Sequence, residues 1–509
     1  MSCHILSLPC NPFCGLHGKV FLLCPMFLHE VSNFFTYINP CIFVKALCVN
    51  VLLVLARFWH VLLQKLFLYM KRFFTIIMIF ASVVYVTAQT MTMDECMEYA
   101  VKRSVSVSKQ ENNLDNARIN YKQSVAELFP SVSAGVSASA NFGRSIDPET
   151  NSYTMVSTFS NSYDLGASMP LFAGLRYVNG IRAAKVARDR GYSDLQIARD
   201  RVAMEVMRAY IDVVYYKEAV NIAEEQLSAA RKTLRQAQKL YGLGLKSAAE
   251  VAEVASQEAG YDYMLTEQQN KLAMAYIALR EVMNYPQEDV LEVVQIDDFI
   301  PDVCTVSPES VVESALAGNA RIVSARLAVL ESKLNYMKAN GGWFPTISLS
   351  GGIGTSYYTN FKSTAYPAFG TQLDNNRGVY VGVSMSIPIF SNLSRKASVR
   401  FSRNALRNAE LEMDAARNVV ESEVVQACRQ MEGYGKQYIQ AVKKIEAAQL
   451  AYDGIAAKFD KGLVTAIELQ MSATTLLQAK SDCLHSKLQY MIEKRMVDYY
   501  SGVPLVEIE

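Results

Sequence analysis

Hydrophobic positions recur every seven residues through the middle of the chain. One row contains Val206, Val213, Val220, Leu227, Leu234 and Tyr241, and a second row between them contains Ala209, Tyr216, Ala223, Ala230 and Ala237. Two interleaved rows with this spacing are the a and d positions of a coiled coil. The pattern predicts one helix from about Leu175 to Tyr241, which at 1.5 Å per residue is on the order of 100 Å long. The Arg and Glu side chains along it exclude a helix embedded in lipid.

Other segments alternate between apolar and small polar residues. From Ser131 to Phe142 every even-numbered position is apolar and every odd-numbered position is Ser, Gly or Asn. The same period of two occurs in 346–357 and 379–387, and less regularly in 153–169. Such strands are typical of a barrel with lipid outside and water inside, and also of a soluble sandwich. Four strands cannot close a barrel, so a barrel requires the open edges to pair with other copies of the chain.

A secretory signal peptide begins at Met70. Lys71 and Arg72 precede an apolar run over 73–86, and a cleavage site with small residues at −3 and −1 ends at Ala88. The sequence therefore predicts a signal peptide over 70–88 and a mature chain that begins at Gln89. Export of the chain favours the barrel over the soluble sandwich.

The segment 1–69 differs in composition from the rest of the chain. It holds six of the ten cysteines, four of the five histidines and a single acid, Glu30. We interpret residues 1–69 as an over-extended gene model that is not part of the mature protein. The alternative is a membrane anchor over 41–68, although Lys45, Arg57 and Lys65 interrupt that apolar stretch.

The sequence from residue 89 onward contains an internal duplication. Pro170 and Pro286 enclose a long segment without a proline, and so do Pro388 and Pro504, at an offset of 218. Earlier landmarks, such as Phe-Pro at 129–130 and again at 344–345, recur at an offset of 215. The predicted organisation is a first repeat over 89–285, an acidic and solvated connector over 286–307, and a second repeat over 308–509.

Charge and composition exclude several function classes. The whole chain has 50 basic and 49 acidic residues, and the predicted mature part has 44 and 48, so it is not a nucleic-acid binder that works through bulk charge. His485 is the only histidine after residue 69, which argues against a His-based metal site or a histidine-dependent triad. Phosphate-loop, zinc-hydrolase and nucleophile-elbow motifs are missing from the mature sequence. We expect no catalysis and no cofactor.

The predicted mature chain keeps four cysteines, at positions 96, 304, 428 and 483. They show no Cys-x-x-Cys spacing and lie far apart in the sequence. A pair could form a disulfide in an oxidising compartment, but four small buried hydrophobic residues are the simpler interpretation.

A short turn joins the two long helices predicted in each copy. The first, 241–247, reads YGLGLKS and the second, 459–465, reads FDKGLVT; Glu250 and Glu468 follow them. A secreted, duplicated chain with two strand pairs, very long helices and these turns resembles the TolC-like outer-membrane efflux family over essentially all of residues 90–509. The resemblance implies a mainly α protein with a β-barrel. Four transmembrane strands per protomer would give a homotrimer with a 12-stranded barrel and an α-helical periplasmic tunnel.

The resemblance also implies a location, partners and site residues. The channel would lie in the outer membrane of a Gram-negative bacterium, surrounded by its lipid, as the exit duct of a tripartite efflux or type I secretion system. The turns would dock a periplasmic adaptor that connects to an inner-membrane pump of the RND or ABC type. The implied docking residues are Gly242, Leu243, Gly244, Leu245, Gly462, Leu463 and Val464. Acidic residues before the second turn, Asp453 and Asp460, would form a periplasmic gate.

Each of these roles has an alternative. The glycines can serve only to reverse the chain, and Asp453 can belong to a solvated helix face. For the whole protein, the alternative function is an outer-membrane-anchored coiled-coil scaffold or adhesin stalk without a conducting pore.

Overall fold

The computed structural model describes residues 89–147, 151–155, 157–287, 289–294, 306–361 and 366–506. The predicted over-extension over 1–69 and the signal peptide over 70–88 lie outside the described residues, as do Cys304 and part of the connector. These predictions therefore stay predictions.

The described secondary structure alternates between short strands and helices of very different length. In chain order the elements are β1 (Gln89–Met91), α1 (Met93–Arg103), α2 (Val105–Ala126), β2 (Ser131–Asn141), β3 (Arg144–Asp147), β4 (Ser152–Met155), β5 (Thr158–Phe172), α3 (Arg176–Gly242), α4 (Ala248–Met283), β6 (Leu291–Val293), α5 (Pro308–Gly318), α6 (Ala320–Asn340), β7 (Thr346–Asn360), α7 (Phe369–Asn375), β8 (Gly378–Ser386), α8 (Ser394–Asp460) and α9 (Ala466–Tyr500). A single 3₁₀ turn, Gly341–Trp343, follows α6.

Two long helical hairpins dominate the structure. Hairpin A consists of α3 and α4, and hairpin B consists of α8 and α9. Helices α3 and α8 each have 67 residues, so each is about 100 Å long. They begin at equivalent positions of the two repeats, and a leucine with left-handed backbone, Leu175 or Leu393, precedes each of them. The helix predicted from about Leu175 to Tyr241 is confirmed. Among the described residues, no helix has the combination of length and hydropathy needed to cross a membrane.

The heptad rows form the buried side of α3. Val206, Val213 and Leu227 are buried, whereas Tyr241, at the end of the row, is exposed. The main apolar core gathers residues of α1, α3, α4 and α9 around this seam. Alanine at most positions of the second row lets neighbouring helices approach closely, as expected for coiled-coil packing.

The connector is only partly solvated, which corrects the sequence interpretation. Its residues 291–293 form β6, which pairs in parallel with β1 at the start of the first repeat. Leu291 and Val293 are buried in the main core, and the Tyr210 hydroxyl donates a hydrogen bond to the Val294 carbonyl at 2.8 Å. The sequence interpretation relied on the acidic composition and overlooked Leu291 and Val293, two alternating apolar residues that point inward.

A four-stranded antiparallel sheet has the order β2-β5-β7-β8. One register is Ser131 opposite Ser168 in β2 and β5, and the corresponding one is Thr346 opposite Ser386 in β7 and β8. The outer edges of β2 and β8 have no strand partner within the described residues. The sheet therefore leaves two rows of backbone groups open, one at each side.

The irregular fourth strand predicted over 153–169 is wrong in its bounds. Residues 153–155 belong to β4, which pairs with β3 as a separate small hairpin, and β5 runs from Thr158 to Phe172. Asn151, just before β4, has a left-handed backbone with φ of 49°. The prediction merged the two strands because polar and aromatic residues recur with a similar spacing in both of them.

The two faces of β2 should respond differently to substitution. Val136 is 72% exposed in the single chain, whereas the Ser137 hydroxyl on the other face lies 2.8 Å from that of Ser162. We expect Val136→Arg to lower the free energy of unfolding from a bilayer by roughly 2–4 kcal/mol near the midplane, because a lipid-facing charge must be desolvated. Ser137→Ala, the control, should cost much less. Denaturant titration of protein folded into lipid vesicles measures both; equal losses would contradict the assignment of the faces.

Candidate functional site at the hairpin tips

Both hairpins end in the same type of turn. In hairpin A, the Gly244 amide donates to the Tyr241 carbonyl at 2.9 Å and the Leu245 amide donates to the Leu240 carbonyl at 2.9 Å. Hairpin B repeats both bonds at the equivalent positions of the second repeat, at 2.9 and 3.0 Å. This pair of bonds is the Schellman motif, which satisfies the last carbonyls of a helix. It requires a left-handed residue, and Gly244 and Gly462 have φ of +73° and +72°.

The outgoing helices begin with matching caps. The Ser247 hydroxyl accepts a hydrogen bond from the Glu250 amide, and the Glu250 carboxylate accepts one from the Ser247 amide at 2.8 Å. Thr465 accepts the corresponding bond from the Glu468 amide at 3.3 Å. The bond from the Ser247 amide is the main cause that lowers the pKa of Glu250. Each turn is therefore fixed on both sides by satisfied backbone groups.

Three predicted docking residues present apolar surface to solvent. Leu243, Leu245 and Leu463 are 72%, 70% and 71% exposed. Leu245 and Leu463 occupy equivalent positions directly after the left-handed glycines. Because the backbone around them is capped and hydrogen-bonded, the side chains are held at the extreme end of each hairpin.

The remaining predicted docking residues have other surroundings. Gly242 is the last residue of α3 and its φ is not positive, so the reversal depends on Gly244 alone. Val464 is half-buried and packs on an apolar cluster shared by both hairpins, so it offers less free surface than the leucines. This tip cluster contains Ala237, Val254, Phe459, Ala466 and Leu469.

A contact between the tips was not found from the sequence. The Lys246 ammonium lies 4.4 Å from the centre of the Phe459 ring, which is only 1% exposed, and 3.3 Å from Glu250. This cation–π contact joins the turn of hairpin A to the end of α8. The offset of 218 aligns Phe459 with Tyr241 and Lys246 with Val464. The two tips therefore differ at both positions, but nothing in the sequence shows that Lys246 and Phe459 are in contact.

The two predicted gate residues are exposed on α8. Asp453 and Asp460 are seven residues apart, which places them on the same side of the helix two turns from each other. The Gln449 side-chain amide donates to Asp453 at 3.0 Å. Burial raises the pKa of Tyr452, and the charges of both aspartates add to this effect. One chain thus carries a small acidic strip close to the tip of hairpin B.

Comparison with known proteins gives a consistent result. The sequence profile of the family described as outer membrane efflux protein matches residues 97–285 and, a second time, residues 311–499. The chain belongs to this family. It is accordingly a TolC-like efflux channel, and its location is the outer membrane of a Gram-negative bacterium.

Individual relatives are distant in sequence but close in fold. The outer membrane protein TolC of Vibrio cholerae is 22% identical over 337 residues, which cover 65% of this chain and 74% of TolC. The outer membrane efflux protein BepC of Brucella suis is 23% identical over 66% of this chain and 69% of its own length. The solved structure of VceC from Vibrio cholerae superposes with a TM-score of 0.72 at 14% identity, over 81% of this chain and 96% of VceC. All three relatives are outer-membrane proteins.

Substitution of the two glycines of the first turn, Gly242 and Gly244, should have different effects. Gly244→Ala puts a Cβ on a left-handed residue, so it should lower the free energy of local opening of the tip by about 1–2 kcal/mol. Gly242→Ala, the matched control, lies in helical backbone with open space around it and should be neutral or stabilising. Hydrogen exchange of tip peptides measures both changes; similar exchange rates in the two variants would contradict the turn geometry.

Proposed function

We propose that three copies of this chain form the exit duct of a tripartite efflux or type I secretion system. The duct would pass small molecules or proteins from a periplasmic adaptor and an inner-membrane pump to the exterior. The observation that carries the proposal is the pair of capped, leucine-bearing tips at the ends of α3 and α8, which are each about 100 Å long. Strands of 9 to 15 residues in the sheet have the length that a tilted transmembrane strand requires.

The exposed leucines favour docking over a purely structural role. A leucine at a solvated hairpin end contributes little to folding, because folding leaves it in water. Leu245 and Leu463 nevertheless stand at the same position of both tips. A homotrimer would present six such tips at one end, and an adaptor with apolar residues at matching spacing would bury them. Gly242, Leu243, Gly244, Gly462 and Val464 complete the proposed contact surface.

The acidic strip on α8 is a candidate for the periplasmic gate. In a homotrimer, Asp453 and Asp460 would each occur three times around one axis. A ring of carboxylates in a narrow passage concentrates cations and repels anions. The corresponding position of hairpin A is Arg235, so the ring would contain three carboxylates at the level of Asp453 rather than six.

The second candidate function is a coiled-coil scaffold or adhesin stalk anchored in the outer membrane. A stalk needs neither a continuous lumen nor apolar tips on both hairpins. Purified protein in planar lipid bilayers separates the two functions: a duct gives discrete single-channel currents, whereas a stalk leaves the bilayer conductance unchanged.

The tip leucines should be required for export. We expect Leu245→Asp combined with Leu463→Asp to abolish export of toxic compounds, because two charges per chain would replace the apolar contact with the adaptor. The yield of folded, membrane-inserted protein should be unchanged, since neither leucine packs in the core. Growth in the presence of exported compounds measures the first effect, and heat-modifiable migration of outer-membrane extracts measures the second.

A conservative pair of substitutions at the same positions provides the control. Leu245→Met combined with Leu463→Met keeps an apolar side chain of similar size at both tips. This variant should leave export close to wild type. Wild-type export by the double aspartate variant, or an equal loss with the double methionine variant, would contradict docking through the tips.

The proposed gate makes a separate prediction about ion selectivity. Asp453→Ala should raise the single-channel conductance or weaken the preference for cations, because it removes three carboxylates from a narrow passage. Asp453→Glu keeps the charge and should keep the cation preference. Reversal potentials in asymmetric salt measure the selectivity. Unchanged conductance and selectivity in Asp453→Ala would assign Asp453 to a solvated helix face.

A further inference from the structure

The first turns of α3 and α8 carry only positive charge. Segment 176–188 contains four Arg and Lys residues and segment 394–409 contains five, and neither contains an acid, although the predicted mature chain as a whole is slightly acidic. Cations at a helix N-terminus oppose the helix dipole, so this placement does not stabilise the two helices. Because it occurs at equivalent places in both repeats, it points to a function other than helix stability.

Four of the five basic residues of α8 lie on one exposed side of the helix. Lys396, Arg400, Arg403 and Arg407 follow one another at intervals of four, three and four residues, which places them in a single stripe. The Arg407 guanidinium lies 3.3 Å from the Glu410 carboxylate. The other three make no ion pair with any residue that the structure describes. One chain therefore leaves three adjacent cations without a counter-charge.

In α3, the corresponding side is the one that its neighbours leave uncovered. Helix α2 contacts α3 at positions 188, 191 and 192, and α6 contacts it at positions 180, 190 and 194. At 3.6 residues per turn these two sets lie roughly 120° apart, so both neighbours lie toward one side of α3. Arg182 and Lys185 lie on the opposite, convex side and are exposed.

The internal repeat relates the two helices. Adding 218 to the numbers of Arg182 and Lys185 gives Arg400 and Arg403, so the stripe of α8 lies on the equivalent side. In a closed ring of helices, the neighbours of each helix are displaced toward the lumen and the convex side faces outward. Arg182, Lys185, Lys396, Arg400 and Arg403, called the basic belt below, therefore face the outside of the proposed duct.

Exposed apolar and aromatic residues lie directly above the basic belt. Ile389 and Phe390, between β8 and α8, are 91% and 75% exposed, and Trp343 and Phe344, just before β7, are also exposed. Aromatic residues at the end of a transmembrane strand are typical of the boundary between lipid and water. The first turns of α3 and α8 therefore begin at this boundary.

The depth of the basic belt matches the layer of lipid headgroups. Lys396, Arg400 and Arg403 lie about 3, 9 and 14 Å along α8 from its first residue. The headgroup layer on each side of a bilayer is about 5–8 Å thick. Side chains on a helix incline toward its N-terminus, which is here the membrane, so the long side chain of Arg403 also extends toward this layer.

We propose that the basic belt binds the phosphates of anionic phospholipids in the periplasmic leaflet of the outer membrane. Lys and Arg donate strong, charge-assisted hydrogen bonds to phosphate oxygens. The exposed Ile389 and Phe390 above the belt contact the acyl chains of the same lipids. A row of cations without counter-charges favours an anionic headgroup over a zwitterionic one. The outward direction of the belt rests on the proposed duct, whereas the lipid preference is an additional property that conduction does not require.

Native mass spectrometry tests the lipid preference. Protein extracted from outer membranes in mild detergent is mixed with equal amounts of phosphatidylglycerol and phosphatidylcholine that carry the same acyl chains. The wild type should retain phosphatidylglycerol in excess by roughly fivefold or more, the factor that one basic residue contributes at an anionic surface. Lys396→Gln combined with Arg400→Gln and Arg403→Gln should retain the two lipids almost equally, because glutamine keeps a long polar side chain but removes the charge.

Three basic residues near the other end of α3 provide the matched control. Lys232, Arg235 and Lys239 are exposed and lie about 80 Å or more from the start of the helix. Their combined replacement by Gln changes the net charge by the same amount and should leave the phosphatidylglycerol excess at the wild-type value. Arg400→Gln alone should lose a smaller part of the excess, and it replaces the triple variant if that variant does not assemble.

Two results would overturn the proposal. One is equal retention of both lipids by the wild type, and the other is an equal loss of preference in the belt variant and the control variant. If the belt variant keeps its lipid preference but no longer sediments with purified peptidoglycan, the belt belongs to a cell-wall contact and the lipid assignment is wrong. Single-channel recording of the same preparations separates this test from the proposed function. A conducting protein without lipid preference overturns the belt alone, and a lipid-selective protein without conductance overturns the duct alone.

Discussion

The open backbone groups at the two edges of the four-stranded sheet constrain the rest of the structure. In lipid, an unpaired amide or carbonyl costs several kcal/mol, so a membrane-embedded sheet must close on itself. Four strands are too few to enclose a barrel. In the proposed trimer, the two edges that one chain leaves open are closed by strands of other copies. The helices of one chain are also packed unequally. Helix α6 packs on two long helices, α3 and α8, whereas its counterpart in the first repeat, α2, packs within the described chain on α3.

The long hairpins extend this constraint over about 100 Å. A helix as long as α3 or α8 needs a partner along its length, since helix propensity alone does not hold a rod straight. The heptad rows of α3 form the contact with neighbouring helices, and the small alanines let those helices approach closely. At the far end, the Schellman turns and the Ser247 and Thr465 caps satisfy the backbone locally. The tips can therefore expose leucines without loss of structure.

Much of this architecture was predictable because its signals are periodic. The heptad rows predicted the bounds of α3 to within about one residue. The alternation of apolar and small polar residues predicted β2, β7 and β8. The family resemblance agreed with the profile match to both halves. The failures occurred where the period is short or mixed: residues 153–155 pair locally as β4, and Leu291 and Val293 alternate over too few positions to reveal β6.

The candidate site was only partly readable from the sequence. Glycine and leucine in a repeated turn indicated the tips. Glycine is the residue that best tolerates left-handed backbone, and it can be recognised in the sequence together with its apolar neighbour. The contact of Lys246 with Phe459 depends on how two distant hairpins lie beside each other, which no local pattern contains. The offset of 218 shows which positions differ between the two tips, but it does not show which of them are in contact.

The number of chains in the membrane-extracted protein tests the central claim most directly. Native mass spectrometry of protein extracted from outer membranes in mild detergent counts them without a labelled or altered residue. Completion of the sheet by other copies predicts a single species with the mass of three mature chains. A dominant species with the mass of one chain, still folded and still bound to lipid, would contradict it.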